Sequence, residues 1–218
     1  MHLAESAGPD KIHVELLQAA DVESTVQLIA SAFSTADPPA VAMGLSAAEF
    51  SAFLRMLAPH AVADGLTVVA RSSARNEIIG ALLTDDFAVP PPLDPQQLSN
   101  RFLPILTLLD SLDDQYRGAR TIGVGEYLHL FMLAVDAQHG GRGIAQRLVE
   151  YCLENGTRKG YRWAVTEATG AISKRVFRKL GFEERFRIPY CNFKYCGEAV
   201  FSSITGHDGV ALMDKSLV

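Results

Sequence analysis

The residue types best able to do chemistry are concentrated in one short stretch, Val135-Asp136-Ala137-Gln138-His139-Gly140-Gly141-Arg142-Gly143-Ile144-Ala145. It joins an apolar run to an amphipathic one, so it reads as a strand-to-helix turn. Gly140, Gly141 and Gly143 free the backbone to point several N–H groups at one spot, and the helix start adds its dipole. A pyrophosphate could be held there without many lysines. A plain flexible connection would use the same glycines. Neither GxGxxG nor GxxxxGK[ST] occurs, which weighs against dinucleotide and nucleoside-triphosphate readings.

The flanking elements must position that turn. Glu126 to Val135 (EYLHLFMLAV) is apolar on both faces and reads as a central strand. The segment from about Arg142 to Lys159 follows as a helix, then Tyr161 to Thr166 as a strand and Ala171 to Leu180 as a helix. Upstream, Ile12 to Leu17 reads as a strand. Asp21 opens a helix that Asp37-Pro38-Pro39 stops, and Ser46 opens a second helix. Leu66 to Arg71 and Glu77 to Thr84 form a hairpin across Ser72 to Asn76. Glu183 to Tyr195 and Val210 to Leu217 supply the last two strands. Residues 88–120 hold the prolines 90, 91, 92 and 95 and an apolar helix from Phe102 to Leu112. They read as an insertion between the third and fourth strands, because hairpin loops are usually far shorter. The pattern is mixed α/β, and residues 1–218 read as a single domain.

The chain has 218 residues, 48% of them hydrophobic and 21% charged, which excludes a disordered chain. Its formal charge of −5 argues against nucleic acid as partner. Cys152, Cys191 and Cys196 form no CxxC pair and no zinc spacing, so neither a disulfide framework nor a metal site is expected. The N-terminus MHLAESAGPDK lacks a basic and apolar leader, and no apolar run is long enough to span a bilayer. No membrane partner and a cytoplasmic location are therefore expected.

The succession of strand, GRGIA turn, helix, strand, short helix and Lys179-Leu180-Gly181-Phe182 resembles the GNAT family of N-acetyltransferases. In that family the turn binds the pyrophosphate of acetyl-CoA. The usual turn is R/Q-x-x-G-x-G/A, and Gly140 to Ala145 keep all but its first residue. The resemblance spans roughly residues 12 to 217 by element order and is most specific over 126 to 201. Thr166 to Phe182 (TEATGAISKRVFRKLGF), Tyr190, Gly197 to Phe201 and His207 are similar to insect-type arylalkylamine N-acetyltransferases.

The resemblance implies a GNAT fold, with a mixed, mostly antiparallel sheet flanked by helices. It also implies acetyl-CoA as cosubstrate, no metal, and a small primary amine, arylalkylamine or polyamine-like, as acceptor. The acetyl carbonyl would bind backbone N–H near Leu133 or Ala134, Val135 would join them in binding the cofactor, and Gly140, Gly141, Arg142, Gly143, Ile144 and Ala145 would take the pyrophosphate. Asp37 matches a Glu-Pro position to which the insect-type enzymes assign the general base, one methylene shorter here. A helix-terminating Asp before proline explains it equally well. Glu126 sits where many family members carry a catalytic carboxylate, although an exposed strand-start acid is the simpler account.

The position that often holds a tyrosine acid is Phe177, which has no proton to give. Ser173 and Thr169 match a hydroxyl pair of the insect-type enzymes. Ser173 is the residue expected to contact CoA or assist thiolate departure, a role compatible with helix capping. Lys174, Arg178 and Lys179 are candidates for the 3′-phosphate or a solvated helix face. Phe33, Phe50, Phe53, Phe102 and Tyr127 could form an aromatic acceptor slot, although aromatics at helical spacing are more often plain core. His129 either lines that slot or is a satisfied core histidine.

No Cys or Ser lies in a base-paired motif, so direct transfer in a ternary complex is expected rather than an acetyl-enzyme. The rival reading is a non-catalytic acyl-CoA sensor on the same fold. Residues 88–120 either close over the acceptor or form a homodimer contact.

Overall fold

The computed structural model describes residues 11–90 and 92–218. The segment before Lys11, expected above to carry no leader, and Pro91 of the proline cluster lie outside the described residues. Among the described residues seven strands form one sheet: β1 (Ile12–Leu16), β2 (Val68–Ser72), β3 (Glu77–Asp86), β4 (Tyr127–Val135), β5 (Trp163–Ala168), β6 (Glu183–Ile188) and β7 (Val210–Ser216). Their order is β1-β2-β3-β4-β5-β7-β6, and every neighbouring pair is antiparallel except β4–β5. Six helices cover the two faces: α1 (Val22–Ala36), α2 (Pro38–Ala42), α3 (Ala47–Ala63), α4 (Leu103–Gly118), α5 (Ile144–Arg158) and α6 (Ala171–Lys179). The helices α1 to α4 share one apolar layer with the sheet, and α5 and α6 the other. Among the described residues no helix is long and apolar enough to cross a membrane.

Local chemistry explains most boundaries. Ser46 caps α3 in a reciprocal box with Glu49, each bonding the other's backbone N–H. At Asp37-Pro38-Pro39 the helix does stop, but a second short helix starts at once. Asp37 caps it by accepting the Ala40 N–H at 3.1 Å, and proline suits a first helical position. The strand expected to run to Tyr195 ends at Ile188. Pro189 has no N–H to continue the ladder, and residues 190–192 form a turn.

The β4–β5 pair sets the geometry of everything that follows. Only Tyr127–Trp163, Leu128–Ala164 and His129–Val165 are in register. On the other edge of β4, Leu83 faces Met132 and Thr84 faces Leu130, so Phe131 is an extra residue in a β-bulge. A bulge bends its strand and increases the local twist. Here it carries β4 away from β5, and the Thr166 hydroxyl ties the fork by donating to the Leu130 carbonyl at 2.8 Å.

The inserted segment is packed into the α1–α3 layer by its helix α4. Tyr116 donates to the fully buried Asp214 at 2.7 Å, and Arg120 and Arg185 reach the same carboxylate at 2.9 and 2.6 Å. The α4 C-terminus is thereby fixed against β6 and β7. On the opposite layer, a Cβ at Gly80 would sit 3.0 Å from both Ile144 and Leu148. A glycine there lets α5 approach the sheet closely.

One position makes a sharp test of the β6–β7 region. Gly209 has φ +145°, and a Cβ there would lie 2.3 Å from the Ile188 carbonyl oxygen. Backbone cannot swing aside as a side chain can. Gly209→Ala is expected to lose about 3 kcal/mol or more in urea unfolding. A variant as stable as the parent would contradict this packing.

Candidate active site

The forked strands open into a cavity of about 340 Å³. Its walls come from Leu130 to Val135 of β4, Thr166 and Glu167 of β5, the C-terminus of α1, the first turn of α6 and the N-terminal half of α4. Leu133, Ala134 and Val135 line it, as does Ala145 at the start of α5.

The glycine turn adjoins this end. Asp136 organises it by accepting the Gln138 N–H at 2.7 Å. Gly141 and Gly143 are left-handed, at φ +75° and +73°, so glycine is there for conformation. Space above them is open: a Cβ would meet nothing within 4 Å at Gly141 and only the Gln146 side chain at Gly143. No side chain caps α5. Its first-turn N–H groups have no intrahelical acceptor, which leaves the concavity suited to an anion. Gly140, at φ −59°, is not required by conformation. The Ile144 side chain is buried beneath the turn, so its contribution to an anion site is its backbone N–H.

On the far wall, Asp37, Thr169, Gly170, Ser173 and His207 all line the cavity. Asp37 is buried; its Oδ1 accepts from Thr169 at 2.5 Å and its Oδ2 from Ala40. Burial pushes its pKa up to about 6, against the lowering by Thr169, the Ala40 N–H and His207. Thr169 is itself held from behind, its carbonyl accepting from Tyr190 at 2.6 Å. Ser173 caps α6, donating to the Gly170 carbonyl at 3.0 Å and accepting its N–H at 3.2 Å. Ser173 therefore caps its helix while lining the cavity. His207 accepts the Ala171 N–H through Nδ1 at 3.2 Å, so a neutral ring carries its proton on Nε2.

Other candidates lie elsewhere. Glu126 precedes β4, and its carboxylate packs over Gly123 rather than lining the cavity. Its carbonyl holds the Arg162 and Trp163 N–H groups. Tyr127 is 5% exposed and stacked on Trp163, 6.2 Å away, with Tyr116 at its edge; it too is outside the cavity lining. Lys174 does not present its charge to solvent. Its ammonium is buried against Asp208 and the Gly209 carbonyl, and Arg178 pairs with Glu184 at 2.9 Å. Asp208 draws Lys174 inward because β7 begins beside α6.

The aromatic slot forms with one exchange. Phe33, Phe50, Phe53 and Phe102 line the cavity, and Phe131, the bulge residue, takes the place expected for Tyr127. His129 does not line the slot. It is clamped between Asp85 and Glu167, 2.8 Å from each, and these carboxylates raise its pKa well above the ordinary histidine value. Glu167 does line the cavity, and Asp113 of α4 hydrogen-bonds to it. The sequence reading passed over Asp85, Asp113 and Glu167. An acid inside the buried run WAVTEA was the available signal, since ionised groups are rarely buried unless paired.

Residues 54–182 match the family model described as the acetyltransferase (GNAT) family. The C-terminal condensation domain of Ebony, solved in complex with beta-alanyl-dopamine, has a similar fold. Its TM-score is 0.88 at 15% identity, covering 95% of this chain and 99% of that one. Arylalkylamine N-acetyltransferase 2 from Aedes aegypti gives 0.78 at 21% identity, over 95% of this chain and 99% of that one. The Drosophila melanogaster polyamine N-acetyltransferase, which catalyses the formation of N-acetylagmatine, gives 0.73 at 19%, over 94% and 100%.

Proposed function

The chain belongs to the GNAT acetyltransferase family, and from that premise we propose that it passes an acetyl group from acetyl-CoA directly to a small primary amine. The observation that carries this reading is Asp37, a buried carboxylate with pKa about 6 on the wall of an apolar cavity at the strand fork. An alkylammonium of pKa about 10 must lose a proton before it can attack. A base titrating near 6 is ionised at neutral pH and close enough to it to accept a proton well. The short Asp side chain favours a relay through one water. Thr169 orients the carboxylate by its 2.5 Å hydrogen bond.

The fit to acetyl-CoA rests on the open, uncapped turn at Gly141 and Gly143. Gly140 to Ala145 would hold the pyrophosphate through backbone N–H groups. Leu133, Ala134 and Val135 would take the acyl arm along the β5-facing edge of β4. The thioester supplies the activated acetyl. Ser173, on the α6 wall, is the hydroxyl assigned to the thiolate side. Six lining phenylalanines support an arylalkylamine acceptor first, the class in the name of the Aedes relative, with polyamine-like acceptors second.

A CoA thiol-release assay over phenethylamine, tyramine, tryptamine, putrescine and agmatine is expected to show turnover with acetyl-CoA. Tight acetyl-CoA binding with no turnover on any amine would return the reading to an acyl-CoA sensor.

A further inference from the structure

The wall that carries Asp37 and Thr169 is backed by the connection between β6 and β7. β5 pairs with β7 only as far as Ala168–Ala211, so Thr169 lies past the end of the ladder. Its carbonyl is taken by the Tyr190 hydroxyl, which donates to it at 2.6 Å. Tyr190 belongs to the short turn that follows β6 and is outside the cavity lining. It is buried, and its ring packs 5.9 Å from the buried Phe201, which is stacked on Phe193 at 5.5 Å. Three aromatic side chains of one connection thus aim a single hydroxyl at the peptide that leads into α6.

That peptide decides where the Thr169 hydroxyl sits. Threonine is branched at Cβ and stiff in its first side-chain torsion, so Oγ1 follows the backbone closely. Oγ1 donates to Asp37 Oδ1 at 2.5 Å, and Asp37 Oδ2 accepts the Ala40 N–H at 3.1 Å. A hydrogen bond to a carboxylate is strong while it stays short and aligned, and it favours the ionised form. His207 also faces Asp37 and is anchored separately, through Nδ1, on the Ala171 N–H. Asp208 faces Tyr190 and is itself paired with Lys174 and Arg187. Burial, Asp37 and Asp208 all push the Tyr190 phenol up, so it stays a neutral donor.

We propose that Tyr190 is a positioning residue of the acetyltransfer site: through the Thr169 peptide it keeps the Thr169 hydroxyl on Asp37, and thereby keeps that carboxylate in its proton-accepting form. This rests on Asp37 as the base and adds a residue that touches neither acceptor nor cofactor.

Tyr190→Phe keeps the ring against Phe201 and removes only the donor. Thr169 then loses its tether, its bond to Asp37 loosens, and Asp37 holds its proton to higher pH. Isotope-edited NMR of the aspartate carboxyls, with Asp37→Asn as the assignment, is expected to show the Asp37 midpoint moving up by about 0.5 to 1 pH unit. The acid limb of kcat/KM should move with it, giving about a 2- to 5-fold loss at pH 6 that shrinks as pH rises. A merely structural defect would lower the rate at every pH alike. Thr169→Val should move the midpoint at least as far, and adding Tyr190→Phe to it should move it no further. An unchanged midpoint in Tyr190→Phe, or additive shifts in the double variant, overturns the proposal. If Tyr190→Phe does not fold, p-aminophenylalanine and p-fluorophenylalanine placed at position 190 have and lack a donor at similar size. The first is then expected to titrate closer to the parent, and equal midpoints overturn the proposal. A midpoint that moves while kcat/KM does not follow upholds Tyr190 as the residue that positions Asp37 and refutes Asp37 as the base.

Discussion

Gly143→Asp is expected to abolish acetyl-CoA binding at working concentrations, with at least about a 100-fold loss of affinity in calorimetry. A carboxylate a few ångströms from a pyrophosphate costs about 1–4 kcal/mol for each pair of charges at surface-like dielectric, and the pyrophosphate carries two. The substitution is informative because it should disturb the fold only slightly. Asp is among the few residues that tolerate the left-handed conformation Gly143 adopts at φ +73°. Gly143 also stands at the α5 N-cap, where an acid favours a helix start. The left-handed φ still costs an Asp about 1 kcal/mol against glycine, so the melting temperature should fall by only a few degrees while affinity collapses. Gly143→Asn separates charge from shape and should lose far less. Unchanged affinity in Gly143→Asp would move the cofactor site away from this turn.

The second large effect is expected at Asp37. Asp37→Asn removes the proton acceptor and should lower kcat by about 10²- to 10⁴-fold on a good amine acceptor. The pH profile carries the sign. With a pKa raised to about 6, Asp37 is protonated and inactive below that value, so kcat/KM should rise through pH 6 and level off above it. The variant should lack that limb.

Stability should move the other way. A carboxyl whose folded pKa lies above its ordinary 3.8 favours the fold most below pH 4 and progressively less as pH rises through 6. Ionised Asp37 therefore costs on the order of 2–3 kcal/mol at neutral pH. Asp37→Asn should relieve part of that, giving a more stable and less active protein. A variant that is both less stable and fully active would remove Asp37 from the role of base.

Much of the site was legible in one dimension because its signals are local. A left-handed backbone strongly favours glycine, so Gly141 and Gly143 mark the turn before any packing is known. Capping is equally local: Ser46 with Glu49, and Asp37 before two prolines, announce helix boundaries through their own side chains. Asp37, Thr169 and Ser173 were each visible singly, the last two through the resemblance. Their meeting on one wall, 132 residues of chain separating Asp37 from Thr169, was not.

The misplacements have causes that lie outside the local sequence. Glu126 and Tyr127 border the right strand, but strand periodicity fixes alternation and not which residues reach the fork. The bulge at Phe131 shifts that alternation by one, bringing Phe131 to the cavity. Lys174 reads as a surface cation on a helix until Asp208, brought alongside by β7, pairs with it.

What this sequence determines by itself is therefore the order of elements, the glycine turn and the chemical types available. Each follows from a backbone preference or a neighbour within a few residues. Only the tertiary structure decides which charges are buried together. His129, Asp85, Glu167 and Asp113 come from β4, β3, β5 and α4, and none carries a mark of its partners. Ionisation and hydrogen bonding depend on solvent exclusion and on distances of 3 Å, and those exist only after the strands pair and α4 closes the layer above them.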